Sequence, residues 1–240
     1  MKKIFQTPGV HISYKIRLTI ILLIFISQIA VLSQDEEPRF IHLPLDKGVA
    51  LDLTFAMMQD HEGYLWFGTM YGLVRYDGRD YKTFNYNPEN SESISFDDIV
   101  SLYEDSKGNL WIGTWGGGLN MLNPQRTKFT RFVYDPSDSH GISDDIVWAI
   151  TEDDKGNIWL GTETGGINKF DPEQNKFTSY NIVRSDSLPG SIPIWNLTKD
   201  REGNIWAASP LGLSKYSLSS NDFGTYQFPN DKKTSKRIFI

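Results

Sequence analysis

Short apolar stretches alternate with polar turns along this chain, and the alternation repeats with a period near 47 residues. Gly63, Gly108, Gly156 and Gly203 follow one another at intervals of 45, 48 and 47 residues. Each stands three residues after an aspartate (Asp60, Asp105, Asp153, Asp200) and three before a tryptophan (Trp66, Trp111, Trp159, Trp206). Apolar stretches such as Ile99–Tyr103, Val147–Ile150 and Ile194–Leu197 precede the aspartates. Gly72, Gly118, Gly166 and Gly212 each open a second segment with Leu or Ile. An aromatic pair closes each unit: Tyr81/Phe84, Phe129/Phe132, Phe177/Tyr180 and Phe223/Tyr226. Each unit therefore reads as four short strands: A before the aspartate, B around the tryptophan, C from the glycine, and D on the aromatic pair. Helical periodicity is absent beyond the first thirty-odd residues. Four antiparallel strands repeated at this period are the signature of a β-propeller blade. Stacked solenoids fit less well, because their repeats are shorter or helical.

The expected fold is thus all-β, a propeller of four-stranded antiparallel blades with about four blades present and the ring incomplete. The blades are expected over residues 51–95, 96–142, 143–190 and 191–230, with a lead-in at 34–50. From the last aromatic of a unit to the next strand A takes 14 or 15 residues, as from Phe132 to Val147. The same count from Tyr226 reaches Ile240, so residues 231–240 are expected to begin a fifth blade. Phe40 and Leu43 repeat the strand D spacing and are expected to complete a closing blade. Four blades of a longer ring would leave two open faces, and self-association through them is expected.

The N-terminus decides the compartment. Lys2, Lys3, Lys15 and Arg17 precede an uncharged apolar run from Leu18 to Leu32. That pattern fits a signal peptide over residues 1–33, either cleaved or kept as an anchor, and either way the rest is exported. Without those residues the chain keeps 20 basic and 30 acidic side chains, a net charge of −10. An acidic surface repels phosphate backbones, which argues against nucleic acid as a partner. The absence of cysteine excludes disulfides, thiolate metal sites and a catalytic thiol.

The repeated residues read as scaffold. Aspartate caps the A–B turn through its side chain and glycine takes positive φ, while each tryptophan fills the wedge between neighbouring blades. The segment Asp153 to Asn157 faintly resembles a calcium loop, but Lys155 stands where a ligand belongs and no metal is expected. Function is expected where the repeats differ. The B–C and D–A loops share one face, and the B–C loops hold Tyr71, Trp115 and Glu163. Tyr71 and Trp115 either present a ring for stacking or pack on an adjacent loop. Trp148 and Trp195 occupy matching places on strand A, where they either narrow the channel toward a ligand or pack between blades. These five residues are the candidate ligand-binding set, with the D–A loops Asn87–Ser95, Asp135–Ser143 and Ile182–Ser191 shaping the surface around them. The four histidines have no metal-ligand spacing, and no nucleophile elbow or phosphate loop occurs. No catalytic residue, metal or cofactor is assigned.

The pattern Asp-x-x-Gly-Asn-Leu-Trp-Ile-Gly-Thr followed by Gly-Leu, as at Asp105–Leu119, resembles the two-component regulator propeller repeat. All four units carry it; the last departs, with Ala207, Ala208 and Ser209 where the others have an apolar residue, Gly and Thr. The resemblance implies the N-terminal part of a periplasmic sensor whose later blades and histidine kinase follow. It also implies a ligand among the oligosaccharides of polysaccharide breakdown; the lack of a catalytic motif argues that this chain is not itself an enzyme. A secreted glycan hydrolase or lyase and a non-catalytic adhesion propeller are the alternatives.

Overall fold

The turns of the sequence pattern are where the chain reverses. A computed structural model describes residues 51, 53–180, 192–217 and 221–225. The expectations placed on residues 1–50, on Ile182–Ser191, on Tyr226 and on 231–240 lie outside these. The first sheet holds β1 (Thr54–Gln59), β2 (Leu65–Thr69), β3 (Gly72–Tyr76) and β4 (Tyr81–Phe84). The second holds β5 (Ile99–Glu104), β6 (Leu110–Thr114), β7 (Leu119–Leu122) and β8 (Phe129–Phe132). The third holds β9 (Val147–Glu152), β10 (Ile158–Thr162), β11 (Ile167–Asp171) and β12 (Lys176–Tyr180). The fourth holds β13 (Asn196–Lys199), β14 (Ile205–Ser209), β15 (Gly212–Ser217) and β16 (Asp222–Thr225). Each sheet is a four-stranded antiparallel meander in chain order, and no helix occurs among the described residues. The first strands of successive sheets lie side by side, β1 on β5, β5 on β9 and β9 on β13, as propeller blades require. The fourth strand A starts two residues later than its sequence pattern predicts. The Ile194 amide donates to the Thr162 carbonyl of the preceding blade rather than to its own ladder, and Pro193 has no N–H to offer.

Apolar packing fills the wedges between blades. Trp66, Leu73, Ile99 and Leu110 lie in the first wedge, Trp111, Val147, Ile158 and Phe170 in the second, and Trp159, Ile194, Ile205 and Tyr216 in the third. Trp66, Trp111 and Trp159 are almost wholly buried, whereas Trp206, on the far face of the fourth blade, is half-buried. Each buried indole withdraws an area of about 150–250 Å² from water, which stabilises by roughly 4–6 kcal/mol before entropy. The motif glycine on strand B allows this close approach. A Cβ on Gly113 would lie 2.4 Å from the Val147 carbonyl oxygen, and one on Gly161 would lie 2.6 Å from that of Ile194. The fourth blade has Ala208 in this register.

The aspartate of each A–B turn does more than cap it. Asp105 Oδ1 accepts the Lys107 and Asn109 amides, and its Oδ2 accepts both the Asn109 side-chain amide and the Trp111 indole Nε1–H. Trp159 and Trp206 donate to Asp153 and Asp200 in the same way at 2.9 and 2.7 Å. One carboxylate thus fixes the hairpin and satisfies the buried polar atom of the wedge tryptophan. Burial alone would push the Asp153 carboxyl up, but hydrogen bonds from Asn157, Trp159 and the turn amides outweigh it and hold it below the ordinary carboxylate value. Asp200 is lowered in the same manner. A depressed folded-state pKa adds stability that is complete above the unfolded value, near 4, and is lost as pH falls through the folded one. The urea midpoint is therefore expected to fall between pH 4 and pH 2, and the fall is expected to flatten in Asp153→Ala.

A second device joins neighbouring blades. The residue before each motif aspartate reaches back to the residue after the aspartate of the preceding blade. Glu104 accepts from the His61 amide and pairs with its Nδ1, both at 2.8 Å. Glu152 accepts the Ser106 amide and hydroxyl at 2.9 and 2.6 Å. Lys199 donates to Asp154 at 2.7 Å, with the charges in reversed order. The hydrogen bond to Glu104 raises the His61 pKa above its ordinary value.

Candidate functional site

In a four-stranded meander the A–B and C–D turns lie at one end and the B–C and D–A connections at the other. The A–B and C–D end carries charged turns such as Asp153 to Asn157. The B–C and D–A end carries most of the exposed large apolar side chains, among them Tyr71, Tyr86, Phe96, Trp115, Tyr134 and Trp195. Threonines at the ends of β2, β6 and β10 set the loops that hold this rim. Thr69, Thr114 and Thr162 are wholly buried and donate their hydroxyls to the carbonyls of Gly72, Gly118 and Gly166. The linkers into the next blade add further ties. Asp145 O accepts the amides of Gly116 and Gly118, and the Trp115 amide donates to Asp98 O. Asp144 Oδ2 accepts the Thr164 amide and hydroxyl together with the Gly165 amide.

Three of the five candidate residues come together on this frame. On strand A the pairing register skips one residue, between Thr54 and Ala56, between Ile99 and Ser101, and between Val147 and Ala149. Such a bulge leaves a residue outside the ladder and re-aims its side chain. The skipped residue of the third blade is Trp148. Its ring meets that of Trp115, from the B–C loop of the second blade, edge to face at 4.7 Å between centroids and 80° between planes. Its Nε1–H donates to Glu163 Oε2 at 2.6 Å. Trp115 is 47% exposed, so the pair packs between blades and still presents a ring face to solvent. Tyr71 is 53% and Trp195 52% exposed; among the described residues no ring contact joins either to the cluster. The bulge position had Phe55, Val100 and Trp148 in the first three blades and Trp195 in matching sequence register, an apolar series along the inner rim.

Asp98 belongs to the same rim and carries no repeat signal in the sequence, because the matching residues are Ile146 and Pro193. Its Oδ1 is buried without a hydrogen-bond partner, and burial raises its pKa. Asp144 was likewise missed: Phe96 occupies its place one blade earlier, so only the three-dimensional loop reveals its role. The motif residues Asp60, Gly63, Gly108, Gly156 and Gly203 sit at the opposite end, where all four glycines have φ between 78 and 90°. A groove of about 190 Å³ lies away from the candidates, on the outer flank, lined by Lys169, Asp171, Gln174 and Lys176. No group of side chains that could hold a metal ion occurs among the described residues.

A meander of four strands, repeated around an axis with its first strands innermost, is a β-propeller built for presenting loops at one end. Residues 51–71, 93–116 and 141–164, within the first three blades, match the model of the two component regulator propeller family. The solved extracellular domain of the hybrid two component system BT3049 from B. thetaiotaomicron is similar at 26% identity and a TM-score of 0.67, over 79% of this chain and 26% of that one. The extracellular domain of BT4673 from the same organism, described as a one component system, is similar at 22% identity and TM-score 0.58, over 72% of this chain and 25% of that one. This chain thus spans about a quarter of the length of either. Virginiamycin B lyase from Staphylococcus aureus shares the fold at 14% identity and TM-score 0.55, over 73% of this chain and 56% of that one. No curated protein matches the chain.

Proposed function

We propose that this chain is the N-terminal part of an extracytoplasmic sensor propeller that binds an oligosaccharide on its B–C and D–A rim for a two-component signalling system. The observation that carries the reading is the cluster of Trp115, Trp148 and Glu163, held by two blades and open to solvent. An indole face stacks on the apolar face of a sugar ring, and a carboxylate beside it accepts hydroxyl protons. The likeness to the BT3049 extracellular domain supports both the sensing role and a location outside the cytoplasm. The likeness to the lyase is one of fold alone and carries no chemistry to this site. Later blades and a kinase region of a longer parent would be the partners that turn binding into signal.

The test is calorimetry of the purified chain against a panel of plant, host and microbial oligosaccharides. Trp115→Ala is expected to weaken the best ligand by about tenfold or more, because stacking on one ring is worth roughly 1–2 kcal/mol. Thermal unfolding should change little, since Trp115 is half exposed. Unaltered affinity in both Trp115→Ala and Trp148→Ala would remove this site from the reading.

A further inference from the structure

The two ends of the propeller differ in charge as well as in apolarity. The A–B and C–D turns carry Arg79, Lys107, Arg126, Lys128, Lys155 and Arg201. No lysine or arginine occurs in any B–C or D–A connection among the described residues. The third D–A linker, outside those residues, contains Arg184 and Asp186, one charge of each sign. The described B–C and D–A connections hold nine carboxylates; Glu92 pairs with Lys128, and five, Asp97, Asp98, Asp144, Asp145 and Glu163, lie in the B–C loops or where a linker enters strand A.

None of the five is paired with a cation among the described residues. Asp97 accepts from the Tyr86 amide and the Asn85 side chain. Asp145 accepts the Tyr134 amide, and Asp144 accepts the Thr164 and Gly165 amides. Glu163 accepts only the Trp148 indole, and Asp98 Oδ1 accepts nothing. The guanidinium of Arg131, on β8, lies 5.5 Å from the Tyr86 ring centroid. Its Nε and Nη2 donate to the Ser93, Asn90 and Ile94 carbonyls, so it is committed to holding a linker. Neutral donors leave the net negative charge of these carboxylates in place. The ring faces of Trp115 and Trp148 add the negative side of their quadrupoles, which attracts cations and repels anions.

This deepens the glycan reading and rests on it. We infer that the rim is a cation-preferring saccharide site: its best ligands carry a free amine, neutral sugars bind less tightly, and uronate- or sulfate-bearing glycans are turned away. An ammonium near the Trp115 ring and Glu163 gains a cation–π contact and a charge-assisted hydrogen bond together. A carboxylate or sulfate in that place meets like charge with no arginine fork to receive it.

Three oligosaccharide probes of equal length separate the outcomes: chitosan oligomers carrying free amines, their N-acetylated neutral counterparts, and oligogalacturonate. Calorimetry at low salt is expected to rank them in that order. The amine form should bind about fivefold or more tighter than the neutral one, and the gap should narrow as salt is raised. Glu163→Gln should erase most of the gap, weakening the amine form far more than the neutral one. Asp98→Asn serves the same purpose should Glu163→Gln misfold by circular dichroism. Equal binding of the amine and neutral forms, or tightest binding of oligogalacturonate, overturns the charge preference and leaves the glycan reading standing. Binding of none of these probes, with none from the wider panel, overturns both.

Discussion

Asp105→Ala is expected to destabilise the chain by about 3 kcal/mol, more than any single truncation of an exposed rim aromatic. Four donors converge on this carboxylate, two turn amides, the Asn109 side chain and the Trp111 indole. The turn amides and Asn109 are half-buried or exposed and regain water after the substitution. The indole cannot, because Trp111 is 1% exposed and packed in the wedge against Val147, Ile158 and Phe170. A buried donor left without an acceptor costs about 1–3 kcal/mol, and each lost bond to a charged acceptor adds to it. Trp111→Phe removes the same hydrogen bond from the other side, keeps most of the ring, and costs less at the carboxylate, which retains its other donors. Urea unfolding of both single variants and the double variant measures the coupling. The double variant is expected to lose about 1–2 kcal/mol less than the sum of the singles. Additive losses would show that the indole bond contributes nothing and that Asp105 acts on the turn alone.

The blades were legible in the sequence because their framework uses the same side chain at the same step in every unit. Strand D illustrates this: the aromatic pairs bound β4 and β8 at their first and last residues, Tyr81 to Phe84 and Phe129 to Phe132. The aspartate and tryptophan six residues apart were equally visible, but their hydrogen bond was not. Each residue already had a sufficient explanation, as a turn cap and as wedge filling. The contacts between A–B turns escaped for the opposite reason. Their members lie 43, 46 and 45 residues apart and change chemistry each time, from His61 and Glu104 to Ser106 and Glu152 to Asp154 and Lys199. A fixed position with varied residues leaves no repeated letter to read. Alternation of strands and loops was enough to put Tyr71, Trp115 and Glu163 in B–C loops and Trp148 and Trp195 on strand A. The meeting of Trp115, Trp148 and Glu163 depends on a skipped residue in the β9 ladder, which no turn residue announces. Asp98 and Asp144 stayed hidden because Asp98 Oδ1 has no partner and Asp144 is held by Thr164 and Gly165, in a loop that differs from blade to blade.

Arg126→Ala is expected to cost about 3–5 kcal/mol, and the first blade should bear most of the loss. The reason lies in a break of the motif. In the second, third and fourth blades an asparagine after the turn glycine donates its side-chain amide to the motif aspartate, as Asn109, Asn157 and Asn204 do. The first blade has Tyr64 there, which offers no such donor. Arg126, from the C–D turn of the second blade, crosses over to supply it. Its Nη2 lies 3.3 Å from Asp60 Oδ2 and 2.6 Å from Glu104 Oε1, while Nη1 donates to the Gly108 carbonyl at 2.8 Å. The guanidinium also sits 5.6 Å from the Trp66 ring centroid. Arg126 holds φ at 57°, a left-handed conformation costing a non-glycine residue roughly 1–2 kcal/mol, which these contacts must offset. Its side chain is 5% exposed and that of Asp60 0%, so truncation leaves two carboxylates facing each other with no cation between them. Arg126→Lys, which keeps the charge without the fork, is expected to recover part of the loss. Hydrogen exchange followed by mass spectrometry locates the effect. Amides of β1 to β4 should lose protection in Arg126→Ala while those of β9 to β12 keep theirs. Uniform loss across all four sheets would mean that the blades unfold as one unit and that this bridge is not what ties the first blade to the second.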